Sequence, residues 1–122
     1  MLTAMGDVMR EAYKRNWITT RDGNVAVRMK NSDTIHFTPS GVRKALICPE
    51  MIPRMKMGEE MVFSSRMNQQ VTGEWEMHYL ILKDAKRTLS SVHLHPPNIV
   101  AAMYAGWNLQ EMVEPFPEVF RY

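Results

Sequence analysis

Two histidines one residue apart, His93 and His95, sit in a run from Thr88 to His95 whose apolar residues Leu89, Val92 and Leu94 mark it as a strand. Side chains on a strand alternate faces, so the two imidazoles project to one side with Cα atoms roughly 6.6 Å apart. Rings so placed can grip one divalent cation, each nitrogen about 2.0–2.1 Å from a zinc ion. They can equally stand side by side facing solvent, and spacing alone leaves both readings open. Pro96-Pro97 stops the strand rigidly just after the pair, and strand ends are where α/β folds build sites.

Glu74 opens a second candidate cluster. It begins a helix in which Trp75, His78, Tyr79 and Leu82 fall at helical spacing, so Glu74 and His78 share a face. An acid in a first turn complements the helix dipole, and a histidine on such a face can be half buried. The functional alternative is a carboxylate aimed at the metal face and acting as a base. Three corners, Gly23-Asn24, Ser40-Gly41 and Thr72-Gly73, present small residues, hydroxyls and backbone N–H groups of the kind that hold phosphate. Taken singly, each is ordinary turn chemistry.

These residues need elements to place them. Leu2, Met5, Met9, Ala12 and Tyr13 form the apolar stripe of an amphipathic helix that ends near Asn16. Trp17 to Thr20 is β-prone, and Asp22-Gly23-Asn24 is a turn. Val25, Val27 and Met29 alternate in a half-buried strand, Asn31-Ser32-Asp33 turns the chain, and Ile35 and Phe37 continue it, giving a β-hairpin. Thr38 to Gly41 closes the hairpin as a polar loop. Val42 to Met51 is weakly helical. Ile52 to Met57 reads as a strand that Pro53 confines to an edge or a strand start. Glu59 to Val71 is ambiguous, with Met61, Val62 and Phe63 able to pair. The helix from Glu74 runs into Lys83, Lys86 and Arg87, cations suited to its C-terminal end. After the histidine strand, Pro97 starts a helix through Ile99, Val100, Met103 and Tyr104 that Gly106 stops.

The 122 residues, 45% hydrophobic and 23% charged, fit one folded domain rather than a disordered chain. No apolar run approaches the ~18 residues of a membrane span, and no secretory signal opens the chain, so a membrane partner is not expected. The lone cysteine, Cys48, excludes an internal disulfide framework and suits a reducing cytoplasm, the expected location. A net charge of +2 is too small to argue for nucleic acid. Twelve methionines read as core filler; Met55 and Met57 lack the further ligands that a thioether metal site needs.

In order and spacing, Gly23-Asn24-Val25-Ala26-Val27-Arg28, Phe37-Thr38-Pro39-Ser40-Gly41, Gly73-Glu74-Trp75 with His78, and Val92-His93-Leu94-His95 resemble the class II aldolase/adducin family. The resemblance runs from the first helix to about Gly106. It implies a three-layer α/β/α domain with a mostly antiparallel central sheet, assembled as a homotetramer with sites at subunit interfaces. It implies His93 and His95 as two of three zinc-ligand histidines and Glu74 as the general acid/base. Gly23, Asn24, Ser40, Gly41, Thr72 and Gly73 take the phosphate positions, with one hydroxyl of the family's usual Ser-Ser pair lost at Gly73. Tyr122 falls near a catalytic tyrosine that some aldolases present to the neighbouring subunit. The family's third histidine lies on a strand later than Tyr122, so the sequence is expected to be a single domain, residues 1–122, lacking its C-terminal part. The implied activity is a zinc-dependent lyase that forms or cleaves a C–C bond of a phosphorylated ketose through an enediolate. The alternatives are a sugar-phosphate 4-epimerase, a methylthioribulose-phosphate dehydratase, or a non-catalytic adducin-like assembly module.

Overall fold

The computed structural model describes residues 1–58, 61–84, 89–108 and 110–111. Among them helix α1 spans Leu2–Lys14, strands β1 and β2 Asn24–Arg28 and Thr34–Phe37, β3 and β4 Arg54–Lys56 and Val62–Ser64, helix α2 Trp75–Leu82, strand β5 Ser90–His93 and helix α3 Pro97–Tyr104. The strands form one sheet in the order β4-β3-β2-β1-β5, with every neighbouring pair antiparallel.

Alternation on β1 assigns the two faces. Val25 joins Met5, Met9 and Ala12 of α1, with Ile18, Ile47 and Ile52, in one buried cluster, and Val27 packs against it. Ala26 joins Ile35, Phe37, Met55 and Leu82 of α2 in another, with Trp75 and Tyr79 against it. The sheet therefore carries α1 on one face and α2 on the other, an α/β sandwich of three layers. The apolar stripe of α1 does what its spacing predicts, and Asn16, just past its end, takes the left-handed φ of 57° that asparagine tolerates.

The weakly helical expectation for Val42 to Met51 resolves into two single 3-10 turns, Lys44–Leu46 and Pro49–Met51. Pro53 sits just before β3, where its missing N–H costs no ladder bond. The ambiguous segment does pair: Phe63 of β4 lies opposite Met55. The β-prone Trp17–Thr20 forms no strand. The cation at the end of α2 comes from strand β1 beneath it, since Arg28 Nη1 donates to the carbonyls of Leu82 and Lys83 at 2.7 Å each. The expected Lys86 and Arg87 lie outside the described residues, as do the strand start at Thr88 and the aromatic stretch from Phe116 to Tyr122.

Strand β5 stops at His93, two residues short of the sequence reading. Its partner β1 begins at Asn24, opposite His93, and the chain turns away at Gly23. Gly23 has φ +75°, and a Cβ there would lie 2.4 Å from Ile18 Cγ2 and 3.3 Å from the His93 carbonyl oxygen. Only glycine lets the chain leave the sheet this close to β5. His95 is then held by another partner, its N–H donating to the Trp17 carbonyl at 2.9 Å.

Candidate active site

The cross-strand pair Asn24–His93 lies on the α2 face of the sheet, at the point where Glu74 caps the start of α2. The cap has no side-chain hydrogen bond of its own, which leaves the Glu74 carboxylate free to turn inward. Its Oε2 accepts from Asn24 Nδ2 and lies 2.6 Å from His93 Nδ1. Among the described residues no protein group bonds Oε1. Partial burial raises the Glu74 pKa, but the bonds from Asn24 and His93, with the charges of His93 and His95, outweigh it and hold the carboxyl below its ordinary range. Glu74 is thus ionised at neutral pH, with one oxygen anchored and one open.

Asn24 is itself oriented from below. It is 5% exposed, and its Oδ1 lies 2.5 Å from Nε2 of His78, which is fully buried. His78 Nδ1 meets Ser91 Oγ at 2.8 Å. With the serine hydroxyl donating to Nδ1, the imidazole donates from Nε2 to Asn24, the amide donates to Glu74, and the chain of bonds has one consistent direction. His78 is therefore a packed, satisfied core histidine and no metal ligand. Burial lowers its pKa, and the charge of His93 adds to this while Glu74 opposes it. Burial, then Arg54, lowers that of His36.

Both rings stay neutral in the folded chain at pH values where, unfolded, they take up protons. Stability is therefore complete above about pH 6.5 and is lost as pH falls from there through the two folded pKa values. A denaturant midpoint measured at pH 7.5, 6.5 and 5.5 should fall with pH; a constant midpoint would contradict this burial.

The two histidines meet although they are no longer on one strand. Their Nε2 atoms are 3.1 Å apart, and the ring centroids 4.7 Å. His95 Nδ1 faces Asp22 Oδ2 at 3.4 Å, as His93 Nδ1 faces Glu74. With each outer nitrogen donating to its carboxylate, both inner nitrogens carry lone pairs, 3.1 Å apart. Two nitrogens about 2.05 Å from a tetrahedral ion stand about 3.3 Å apart, so the pair fits zinc or a similar divalent cation. A carboxylate behind each imidazole is the usual support for a metal-bound histidine. Among the described residues no group of three or more His, Cys, Asp or Glu forms a complete ion site; the fit is that of two ligands with their supports.

A cavity of about 270 Å³ opens beside this pair, and it brings the three small-residue corners together: Gly23-Asn24, Ser40-Gly41 and Thr72-Gly73 all line it, with Glu74 and His95. The isolated bridge between Pro39 and Val71, extended by the Thr72 N–H donating to the Thr38 carbonyl at 3.2 Å, ties the second corner to the third. Asn24 spends its carbonyl and one amide hydrogen on His78 and Glu74, leaving one amide hydrogen for a ligand. Tyr122, assigned a catalytic role from sequence, lies outside the described residues.

Sequence reasoning missed three participants. Asp22 reads as turn chemistry until its carboxylate is seen behind His95. Ser91 is one more serine on a strand. Lys44, in a segment without a clear period, is only 4% exposed yet lines the cavity.

The fold and the cleft together define an α/β domain that places two imidazoles and a carboxylate beside a polar cavity. The sequence model of the class II aldolase and adducin N-terminal domain matches residues 3–121, and the chain belongs to that family. Solved structures agree on the fold. An L-fuculose 1-phosphate aldolase superposes with a TM-score of 0.71 at 17% identity over 82% of this chain. The L-fuculose-1-phosphate aldolase of Thermus thermophilus does so at 0.63, 23% and 84%, and that of Glaciozyma antarctica at 0.63, 14% and 76%. The chain spans 46%, 50% and 39% of the lengths of these three proteins.

Proposed function

We propose that this chain carries the proton-transfer and phosphate-binding part of an aldolase-type lyase acting on a phosphorylated ketose. The observation that carries this reading is the Glu74 carboxylate, ionised, anchored through Oε2 and open at Oε1, between the imidazole pair and the polar cavity. A phosphate seated among Ser40, Gly41, Thr72 and Gly73 puts the substrate's carbonyl end toward His95 and Glu74. Glu74 Oε1 then takes the proton from the carbon beside the carbonyl in the condensing direction and returns it in cleavage. His93 and His95 would hold a divalent ion, zinc by the chemistry of the donors, and the ion supplies Lewis-acid stabilisation of the oxygen charge that develops. Tyr122 keeps the role of a second catalytic group in this reading.

A glutamate with a free carboxylate oxygen beside the imidazole pair suits C–H proton abstraction in an aldolase. It also serves a dehydratase or epimerase of the same family, and a panel of ribulose, fuculose, rhamnulose and methylthioribulose phosphates separates these reactions. The exposed apolar side chains Leu80, Ile81, Met103 and Trp107 favour assembly into an oligomer, a homotetramer in this reading, over a free-standing monomer. The test of the chemistry is solvent exchange. With zinc supplied, dihydroxyacetone phosphate in deuterium oxide should lose one C–H signal in proton NMR at a rate proportional to protein concentration. No exchange above the protein-free rate would overturn the lyase reading.

A further inference from the structure

Lysine is almost never fully buried without a charged partner. Lys44 is 4% exposed on the first 3-10 turn, its backbone N–H donating to the Thr20 carbonyl at 3.3 Å. Among the described residues no carboxylate lies within 4.0 Å of its ammonium. The carboxylates whose fields reach it, Asp22 and Glu74, are engaged elsewhere, Asp22 with Thr19 and His95 and Glu74 with Asn24 and His93. What the side chain does reach is the cavity it lines beside the neutral donors of Ser40, Gly41, Thr72 and Gly73; the other charged groups on the cavity are the exposed Arg21 and the two engaged carboxylates. At Gly73 a Cβ would meet nothing within 4 Å, so this wall is open space and backbone.

We propose that Lys44 is the cation that recognises the phosphate of the substrate, and so sets the preference of this cleft for a phosphorylated over an unphosphorylated ligand. This rests on the phosphate placement proposed above. The apolar stem is buried in the 3-10 turn, and the ammonium supplies the point charge that a dianion needs among hydroxyl and backbone donors. A hydrogen bond to a charged group in a partly desolvated site is worth about 1.5–3 kcal/mol, or roughly 10–150-fold in affinity.

The experiment is a phosphorus NMR titration of the 122-residue chain with inorganic phosphate, in a chelating buffer so that phosphate on a metal does not contribute. Lys44→Met keeps the stem and removes the charge; it should weaken phosphate at least tenfold, and Lys44→Arg by much less, with unchanged far-ultraviolet circular dichroism. In the unsubstituted chain, saturating phosphate should slow acetylation of Lys44 by acetic anhydride while leaving exposed Lys14 and Lys30 unaffected. This second readout needs no variant to fold. Phosphate binding by Lys44→Met equal to the parent, or acetylation of Lys44 indifferent to phosphate, would overturn the assignment. Lys44-dependent phosphate binding without C–H exchange would instead overturn the lyase reading and leave Lys44 as an anion-recognising residue.

Discussion

Glu74→Gln should lower zinc-supported C–H exchange of dihydroxyacetone phosphate by about 10²–10⁴-fold, the usual contribution of a positioned acid/base. The substitution is chosen for what it keeps. A glutamine carbonyl oxygen can still accept from Asn24 and from His93 Nδ1, the two bonds that fix Oε2 in the parent. What it removes is the ionised second oxygen, since an amide NH2 donates and cannot take a proton from carbon. Fold and phosphate affinity should therefore stay close to the parent, and the loss should appear in the exchange rate at saturating substrate rather than in binding. The measurement is the deuterium wash-in rate by proton NMR at saturating zinc, beside phosphate binding by titration. Exchange within threefold of the parent would mean that another group takes the proton.

How much of this is legible in the sequence follows from range. Local periodicity gives α1, the hairpin of β1 and β2, α2 and α3, because each has a stripe or an alternation that its own residues define. The end of β5 is not legible in this way, since the stop is set by Gly23, just before the neighbouring strand, and by the Ile18 methyl behind it, and neither is local to β5. The candidate site divides the same way. His93, His95 and Glu74 are visible as chemistry-bearing residue types at suggestive spacing. The Ser91–His78–Asn24–Glu74 chain joins residues 13, 54 and 50 positions apart, and no spacing rule links them. Lys44 shows why burial matters to such inferences. In sequence it is one of 15 Lys and Arg residues, and only its enclosure beside the small-residue corners of the cavity singles it out.

Metal affinity gives the other large expected effect, and it should be graded. A four-ligand zinc site in a small peptide is worth about 10–16 kcal/mol, or about 2.5–4 kcal/mol per ligand, so His93→Ala or His95→Ala should weaken zinc binding by about 10²–10³-fold. Asp22→Asn removes only the charge behind His95 and should cost about 10–100-fold, the range for an outer-shell partner. The grading separates the two arrangements that the ring spacing allows. If the 3.1 Å contact between the Nε2 atoms is simply a histidine–histidine hydrogen bond, one ring must turn its Nε2–H to the other, and its Nδ1 then has no proton for its carboxylate. With His95 as that donor, Asp22→Asn would leave zinc binding unchanged, since Asp22 would not be supporting a ligand; with His93 as donor, the carboxylate without a proton to accept is Glu74. Competition titration against a chromophoric chelator, run on the parent chain and the three variants, reads all four affinities on one scale. Equal affinities throughout would show that the imidazole pair is no ion site, and Glu74 would then be a base without the electrophile that the proposed chemistry requires.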